Sequence, residues 1–412
     1  MIQFKKANLS NGLRVIVHED SSTPLAAVNI LYNVGSRDES PDQTGFAHLF
    51  EHLMFGGSRN IGIFDEPLQR AGGENNAFTS TDITNYYETL PSQNIETAFW
   101  LEADRMNELV FSEHSLDVQR KVVSEEFKEH YINQPYGDVW HKLRALAYTT
   151  HPYQWPTIGK TLEHIEQAQV NDVRNFFFKF YRPNNAILVV AGNVNAEEIF
   201  SLAEEWFGVI PPGNTPQKNL PAEPAQKEPR ALTVQANVPL DAIYKAWHMP
   251  GRLQPGYYAV DLISDLLSGG KSGRLYQVLV KEKNLFSEIN CYQNGCIDPG
   301  LITVEGKLIR GVKMDEAEKS IVEELEKIAV LTVDEKELTK VKNRVESQME
   351  FSETEILHKA MNLAYTELLG DANLVNEEIK KYLAVTTEEI RQEATNVFKP
   401  ENCSTLYYFS KN

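Results

Sequence analysis

The sequence predicts an α+β fold in which two homologous domains each combine an antiparallel sheet with helices. Two observations support this prediction. Short segments with alternating apolar residues, typical of strands, come in blocks and are followed by longer amphipathic segments, typical of helices. The same order of segments then occurs a second time along the chain. Because strands and helices are grouped in this way, antiparallel sheets with helices on one face are favoured.

The first half of the chain places its strand patterns before its long helices. The predicted segments are strands at 13–18, 26–32, 76–79 and 83–90, a short apolar helix within 47–57, and helices at 95–109 and 116–131. A helical pattern that stops at Pro183 then leads into a run of Ile, Leu and Val. This run is expected to be a buried strand that closes the half.

The second half repeats this order. The predicted segments are strands at 232–237, 242–249, 289–292 and 301–307, and a helical stretch at 313–397. The helix and strand around Pro183 have a counterpart around Pro400, and FAHLFEHLMFGGSRN (46–60) has one in AVDLISDLLSGGKSG (259–273), at nearly the same separation along the chain. The two matches predict a tandem duplication in which both halves share one fold.

A proline-rich segment separates the halves. Residues 211–230 read PPGNTPQKNLPAEPAQKEPR and lack apolar periodicity, which is typical of an extended linker. We therefore predict an N-terminal α+β domain at 1–215, a linker at 216–230 and a C-terminal α+β domain at 231–412.

The composition is that of a globular protein with an acidic surface. The 412 residues are 42% hydrophobic and 24% charged, with a net charge of -18. This charge argues against a general affinity for nucleic acid or anionic lipid, because phosphate binding needs a basic face. No apolar run reaches the roughly 18 residues of a membrane span, and the start lacks the apolar stretch of a secretory signal. We expect a cytoplasmic protein, provided that Met1 is the native start.

The cysteines agree with a reducing compartment. Cys291, Cys296 and Cys403 are too few and too scattered for a disulfide framework, and their number is odd. We expect all three to be small packing residues in the protein core.

The apolar segment AHLFEHLMFGG carries three polar side chains on one side. At 3.6 residues per turn, His48, Glu51 and His52 occupy one arc of about 100° of a helix, and apolar residues fill the rest. Two imidazoles one turn apart can bind one Zn²⁺, and the carboxylate between them can take a proton from a metal-bound water. This order is the inverse of the more common HExxH helix. The pattern predicts a zinc site.

The internal repeat is a control for a purely structural role of these residues. The second copy has Asp261, Ser264 and Asp265 at the positions of His48, Glu51 and His52, in that order. Its apolar positions remain apolar. Packing of this fold therefore does not require histidines on the helix. A role in metal binding is favoured.

A catalytic zinc site needs a third protein ligand and one open position. The helical segment QRKVVSEEFKEHY (119–131) offers Glu125, Glu126 and Glu129. Most carboxylates on such a helix are solvated surface charges. The residue pattern makes Glu126 the best of the three candidates without excluding the other two.

These residues resemble the pitrilysin, or insulinase, family of zinc metallopeptidases. HLFEH (48–52) is similar to its inverted zinc motif, and RKVVSEEFKE (120–129) is similar to the segment that gives its third ligand. GSRDES (35–40), AGGENNAFTSTDITNYYETLP (71–91) and HPYQWPTIG (151–159) also resemble family signatures. The resemblance covers essentially the whole chain, whose length is similar to the short branch that includes mitochondrial processing peptidase and bacterial relatives.

The resemblance implies two α+β domains that enclose a chamber, in which an extended peptide adds to a sheet edge beside one zinc ion per chain. Backbone pairing of this kind tolerates many sequences, so we expect an endopeptidase that cleaves extended or unfolded peptides. The implied roles are zinc ligands at His48, His52 and Glu126, a general base at Glu51, and a substrate-binding edge at Asn76, Ala77 and Phe78.

One departure from the family pattern lies near the third ligand. Many members carry a glutamate seven residues before that ligand, where this chain has Gln119. A glutamine cannot act as a base, but it can hydrogen-bond a zinc ligand and so support the site.

A larger departure lies in the second half. Active members use an Arg and a Tyr there to hold the substrate and the oxyanion, and the segment LVKEKNLFSEI places Val280 and Ser287 at those positions. Neither side chain can perform that role. Arg274, Tyr276 and Lys281 are the nearby residues that could replace them in another register.

The missing Arg and Tyr predict a two-chain enzyme. Members of the short branch work as two chains that face each other, and in heterodimers one chain carries zinc while the other supplies the second-half residues. The resemblance thus implies the zinc-bearing chain of a heterodimer, with a homodimer as the alternative. Two rival functions are a structural or assembly subunit of the same fold and a zinc hydrolase of small amides. The retained zinc ligands argue against a structural subunit. A free strand edge, which suits peptides, argues against a hydrolase of small amides.

Overall fold

The protein is described by a computed structural model that covers residues 1–214 and 218–411. Its strands are β1 (Lys5–Asn8), β2 (Arg14–Glu19), β3 (Leu25–Tyr32), β4 (Glu74–Thr79), β5 (Thr84–Pro91), β6 (Ala186–Gly192), β7 (Arg230–Ala236), β8 (Ala242–His248), β9 (Phe286–Asn294), β10 (Leu301–Leu308) and β11 (Cys403–Ser410). Its helices are α1 (Phe46–Leu53), α2 (Asp65–Arg70), α3 (Ile95–Asn107), α4 (Glu113–Phe127), α5 (Val139–Ala147), α6 (Leu162–Glu166), α7 (Val170–Phe180), α8 (Ala196–Phe207), α9 (Tyr257–Ser268), α10 (Met314–Val330), α11 (Glu335–Ser352), α12 (Ile356–Leu368), α13 (Leu374–Ala384) and α14 (Thr387–Val397).

The two sheets share one strand order. The first sheet runs β1-β2-β6-β3-β5-β4 and the second runs β7-β11-β8-β10-β9, so that β2 to β6 correspond in order to β7 to β11. The first sheet has the additional strand β1. The α+β class and the two homologous halves are confirmed.

The prediction of purely antiparallel sheets is wrong at one pair of strands in each sheet. β6 pairs with β2 in parallel, and β11 pairs with β7 in parallel. The other neighbours are antiparallel. β6 and β11 each return to the sheet after a long helical connection, which is the kind of crossover that parallel neighbours require. Each sheet is therefore mixed.

The chain divides into two compact units that are not continuous in sequence. Unit 1 consists of Met1–Glu129, Trp155–Leu220 and Glu350–Glu377, and unit 2 consists of His130–Gln154, Pro221–Met349 and Glu378–Asn412. The division thus passes through the predicted linker but departs from the predicted domain boundaries at two further segments. Residues 216 and 217 of that linker lie outside the described residues, and 218–229 contain neither helix nor strand.

The prediction that helices cover only one face of each sheet is also wrong, and the exchanged segments explain why. All seven residues of β6 are buried, which requires cover on both faces. On one face of the first sheet, Leu363 and Ala364 of α12 pack with Ile187 and Val189. In unit 2, α5 packs in the same way on β8 and β11. Each half of the sequence therefore supplies a helix that buries the sheet of the other half.

Two expectations from composition can be compared with the structure. Within the described residues, Cys291, Cys296 and Cys403 are buried and form no disulfide bond, as expected for packing residues. Among the described residues, no helix combines the length and the apolar character that crossing a membrane would require.

Replacement of Leu363 tests the contribution of α12 to unit 1. Leu363 is 0% exposed, so Leu363→Ala should lower the free energy of unfolding by about 2–5 kcal/mol through lost apolar burial and the resulting cavity. Asn362→Ala, at an exposed position of the same helix, should change it by less than about 0.5 kcal/mol. Urea denaturation measures both values. Equal effects of the two variants would contradict the packing of α12 against the first sheet.

Candidate metal centre

Helix α1 is positioned by a tight approach at its start and by its apolar side chains. Gly45 precedes the helix with a φ of 86°, in the left-handed region that favours glycine. A Cβ at Gly45 would lie 2.6 Å from the carbonyl oxygen of Ile158, so no side chain can be accommodated there. The apolar residues of α1 are buried, and they are Phe46, Ala47, Leu49, Phe50 and Leu53. The remaining arc of the helix carries His48, Glu51 and His52.

The structure brings His48, His52 and Glu126 together. Nε2 of His52 lies 3.4 Å from Oε2 of Glu126, and Nε2 of His48 lies 3.8 Å from Oε1. The candidate ligand atoms of all three residues lie within 4.8 Å of one another. Ligand atoms placed tetrahedrally around zinc at about 2.0–2.2 Å are roughly 3.3–3.6 Å apart, whereas hydrogen bonds span about 2.7–3.2 Å. The observed spacing fits a shared metal ion better than direct hydrogen bonds.

Only one of the three candidate glutamates joins the histidines. Glu125 forms an ion pair with Lys128 at 2.8 Å and has 74% of its side chain exposed, and Glu129 is exposed beyond the end of α4. Within residues 1–214 and 218–411, the two histidines and Glu126 form the single group of three or more His, Cys, Asp or Glu side chains that could hold a metal ion. The geometry selects Glu126, which the residue pattern left as one of three.

The rotational setting of α4 explains this selection. Ser112 caps the helix, and its hydroxyl oxygen accepts a hydrogen bond from the Ser115 N–H at 3.0 Å. Leu116, Val123 and Phe127 are buried. With these side chains in the core, Glu126 is directed toward α1 while Glu125 faces solvent.

The electrostatics of the centre suit a metal ligand set and a proton-accepting carboxylate. Burial lowers the pKa of His48 to about 4, although the Glu126 charge acts in the opposite direction. The neutral imidazole is the form that binds a metal. Burial raises the pKa of Glu51, against hydrogen bonding from Thr79 and the charge of His52. A carboxyl group with a raised pKa is better matched to proton transfer near neutral pH.

The predicted substrate edge lies beside α1. β4 contains Asn76, Ala77 and Phe78 and is the last strand of the first sheet, paired only with β5 among the described strands. α1 packs on β4, and Thr79 at the end of β4 holds down the pKa of Glu51, against the larger effect of burial. The Asn76 side-chain oxygen accepts a hydrogen bond from the Ala77 N–H at 2.8 Å. Phe78 is 39% exposed.

Gln119 lies at the other end of α1. Its Nε2 atom would be 3.9 Å from a Cβ placed on Gly56, just beyond the helix. The glutamine thus lies next to the segment that ends the metal-binding helix. Its suggested support of a zinc ligand stays a prediction.

The second-half positions carry no cation or phenol where the family pattern has Arg and Tyr. Val280 lies in the π-helical segment Tyr276–Glu282 and packs on the core of unit 2. Ser287 in β9 donates a hydrogen bond to the Lys307 carbonyl oxygen at 3.0 Å. Arg274 is held by Glu337 through hydrogen bonds of 2.9 and 2.6 Å, so it already has a structural partner.

The positions of α9 that correspond to His48, Glu51 and His52 make polar contacts within unit 2. The hydroxyl group of Tyr382 donates a hydrogen bond to Asp261 at 2.5 Å, Ser264 donates one to the Asp261 carbonyl oxygen, and Asp265 lies 3.5 Å from Arg344. This copy of the helix uses its polar positions to join neighbouring helices.

Glu39 supports the candidate centre, although the sequence patterns assigned no role to it. Its carboxylate accepts hydrogen bonds from the N–H groups of Gly45 at 2.9 Å and Ala47 at 2.8 Å, at the start of α1, and from Trp155 Nε1 at 3.1 Å. Burial raises the pKa of Glu39 to about 8. The motifs GSRDES and HPYQWPTIG therefore meet at the N-terminus of α1. Both motifs can be recognised in the sequence, but the sequence does not show that they contact each other at the start of α1.

Two family models match the chain. A model described as insulinase, peptidase family M16, matches residues 14–161, and a model described as the peptidase M16 inactive domain matches residues 167–345. The first match contains the complete His48, His52 and Glu126 cluster. The second begins directly after α6 and ends within α11.

Individual relatives match over most of the chain. The zinc protease PqqE of Helicobacter pylori is 30% identical over 98% of this chain and 92% of its own length. The crystal structure of a protease from Helicobacter pylori has a TM-score of 0.93 at 28% identity, over 99% of this chain and 100% of that one. The probable mitochondrial-processing peptidase subunit beta of Arabidopsis thaliana is 25% identical over 84% of this chain and 67% of its own length. With sequence, fold and the inverted histidine motif in agreement, this chain belongs to the insulinase family, peptidase family M16.

Proposed function

We propose that this protein is a zinc-dependent endopeptidase that cleaves extended or unfolded peptides. The observation that carries the proposal is the cluster of His48, His52 and Glu126, whose candidate ligand atoms lie within 4.8 Å of one another, close enough to share one metal ion. The name of the Helicobacter pylori relative, a zinc protease, supports the same chemistry. The family resemblance further suggests that cleavage occurs inside an enclosed chamber.

The residues around the cluster have complementary roles in peptide hydrolysis. A zinc ion bound by the cluster would polarise the scissile carbonyl group and lower the pKa of the attacking water. The Glu51 carboxylate would accept a proton from the attacking water and return it to the leaving amine. Its position on α1, one residue before His52, keeps it within the same small site. The histidines and Glu126 take no part in proton transfer.

The substrate is expected to bind as an additional strand. β4 is an edge strand, so its outward backbone groups can pair with an extended peptide. The Ala77 N–H, which the Asn76 side chain now occupies, is one donor that an incoming strand could engage. Backbone pairing explains a preference for extended peptides over folded proteins, since a folded segment has already paired its own backbone groups.

Glu51→Gln separates proton transfer from metal binding. The amide cannot accept the proton, so cleavage of a mixed pool of unfolded peptides should fall by about 10²–10⁴-fold. Zinc content should stay near one ion per chain, because Glu51 is not one of the clustered ligands. Peptide cleavage by mass spectrometry and zinc by atomic absorption provide the two readouts. Unchanged cleavage in this variant would refute the proposed base.

The neighbouring glutamates of α4 offer a matched pair for the third ligand. Glu126→Gln should reduce zinc content well below one ion per chain and abolish cleavage, because a catalytic zinc site needs three protein ligands. Glu125→Gln, one residue earlier and exposed, should retain both zinc and cleavage. If Glu125→Gln loses zinc and Glu126→Gln keeps it, the assignment of the third ligand is wrong.

We further propose that this chain is the zinc-bearing member of a heterodimer. Val280 and Ser287 stand where active relatives hold the substrate with Arg and Tyr, so a sister chain of similar length would supply those groups. The Arabidopsis thaliana relative is named as a subunit, which supports assembly with a second chain. A homodimer is the alternative partner arrangement.

Restoring the missing pair in a facing copy tests this proposal. Mixed with wild-type chain that carries the metal ligands, the double variant Val280→Arg with Ser287→Tyr should raise kcat/KM by about tenfold or more, since oxyanion donors contribute 10²–10³-fold in related chemistry. The control Val280→Lys with Ser287→Phe adds bulk and charge without the guanidinium and hydroxyl groups. Equal activity of both double variants and wild type would contradict the proposed deficiency.

A structural or assembly subunit is the second candidate function. The match of residues 167–345 to a model described as an inactive domain favours it. A chain with this role would have no need to retain zinc or a base. Absence of zinc, together with absence of cleavage in the presence of a candidate partner, would support this function over the peptidase.

A further inference from the structure

Unit 2 contains a cavity that the proposed peptidase function does not use. It has a volume of about 580 Å³ and lies among α10, α14 and the strands β7, β8 and β11. The described residues that line it all belong to unit 2, whereas the candidate metal cluster belongs to unit 1. Pockets that bind small molecules have volumes of about 300–1,000 Å³. The cavity is therefore large enough for a small molecule.

The floor of the cavity is polar where the same part of unit 1 is apolar. Lys245 of β8 lies opposite Thr405 of β11 in the second sheet, and both residues line the cavity. When the two halves are aligned by their repeated helix and strand, the corresponding pair in the first sheet is Ile30 of β3 with Leu188 of β6. Ile30 and Leu188 are both 0% exposed. The shared fold thus accepts apolar residues at these positions, and packing does not require the polar pair of unit 2.

The Lys245 ammonium group can donate a hydrogen bond to a ligand in the cavity. Lys245 is 5% exposed, and its Nζ donates hydrogen bonds to Glu318 Oε1 at 2.5 Å and to Thr405 Oγ1 at 2.8 Å. These bonds use two of its three donors, and the thiol of Cys403, which also lines the cavity, is only a weak acceptor. The other Glu318 oxygen already accepts a hydrogen bond from the Tyr407 hydroxyl group at 2.8 Å. The pair therefore offers a donor, rather than an acceptor, to a bound molecule.

The charges of the lining favour an anionic ligand. Three cationic and two anionic side chains line the cavity, and they are Arg230, Lys245, Lys399, Glu318 and Glu326. Arg230 donates hydrogen bonds to the carbonyl oxygens of residues 146 and 147, and these neutral acceptors do not compensate its charge. A carboxylate in the cavity would be attracted by the excess positive charge, whereas an ammonium group would be repelled.

The apolar part of the wall suits a hydrocarbon chain. The rings of Trp247 and Phe398 meet edge to face at 5.1 Å, and both line the cavity together with Val322 and Leu325 of α10. Val322 is 36% exposed, whereas Leu325 on the same helix is 3% exposed. A hydrocarbon chain placed along this wall would remove the exposed part of Val322 from water, which is favourable.

We propose that this cavity binds an aliphatic monocarboxylate of the size of a medium-chain fatty acid. The hydrocarbon chain packs on Trp247, Phe398 and Val322, and the carboxylate accepts a hydrogen bond from the Lys245 ammonium group. A buried ion pair is often no more stabilising than apolar residues of similar volume, so ligand binding gives Lys245 and Glu318 a purpose that packing does not. The site is separate from the candidate metal centre, and binding does not depend on peptidase activity.

Octanoate is the probe for this site. In isothermal titration calorimetry with the full chain, octanoate should bind saturably and about tenfold or more tightly than octylammonium, which has the same hydrocarbon chain with the opposite charge. Val322→Glu should weaken octanoate binding by about tenfold or more, because it places a negative charge on the cavity wall. Val330→Glu, on the same helix at a 72% exposed position outside the lining, should leave octanoate binding unchanged.

A double variant tests the buried pair itself. Lys245→Ile with Glu318→Met removes both charges together, a replacement that proteins with a buried ion pair tolerate well. It should weaken the binding of octanoate by about tenfold or more and change that of uncharged octan-1-ol by less than about threefold.

Two results with the wild-type chain would overturn the proposal, namely no saturable binding of octanoate, or binding of octylammonium as tight as that of octanoate. Octanoate binding that neither Val322→Glu nor the double variant weakens would also overturn it, because the ligand would then bind elsewhere. Since the double variant adds no buried charge, it decides the question even if Val322→Glu fails to fold.

Discussion

The metal centre depends on how the N-terminus of α1 is held. Glu39 accepts hydrogen bonds from two N–H groups at the start of the helix, and Trp155 holds the same carboxylate from the other side. These donors have no partner within the helix, so the Glu39 oxygens satisfy hydrogen bonds that the helix itself cannot make. Gly45 allows the chain to pass close to Ile158 at this point. The helix is thereby anchored at one end, and its histidines face α4.

The same loop also reaches the substrate edge. Arg37, two residues before Glu39, forms a buried ion pair with Asp82 at 2.8 Å, in the turn between β4 and β5. The Arg37 N–H also donates a hydrogen bond to the Thr81 carbonyl oxygen at 3.0 Å. Helix α1 and the edge strand are thus attached to one buried loop. Such support would keep the proposed metal ligands, base and substrate strand in register, which catalysis by positioned groups requires.

The duplicated halves share a sheet order but have different surfaces. In unit 1, His48 and His52 of α1 contribute to the candidate metal cluster, whereas the matching positions of α9 join helices of unit 2 through Tyr382 and Arg344. In unit 2, Lys245 of β8 and Glu318 of α10 form an ion pair. Sheet order depends on many apolar positions at once and persists through substitution, whereas a site depends on a few residues and can be lost or altered by their replacement.

Local sequence patterns were sufficient for the class of fold, most strands, the duplication and the arc of His48, Glu51 and His52, because helix and strand periodicities act over only a few residues. Tertiary structure decided the rest. It selected Glu126 over Glu125 through the buried face of α4, introduced the parallel strands β6 and β11, and exchanged α5 and α12 between the units. Each of these outcomes depends on which distant apolar surfaces bury one another, and no local periodicity contains that information.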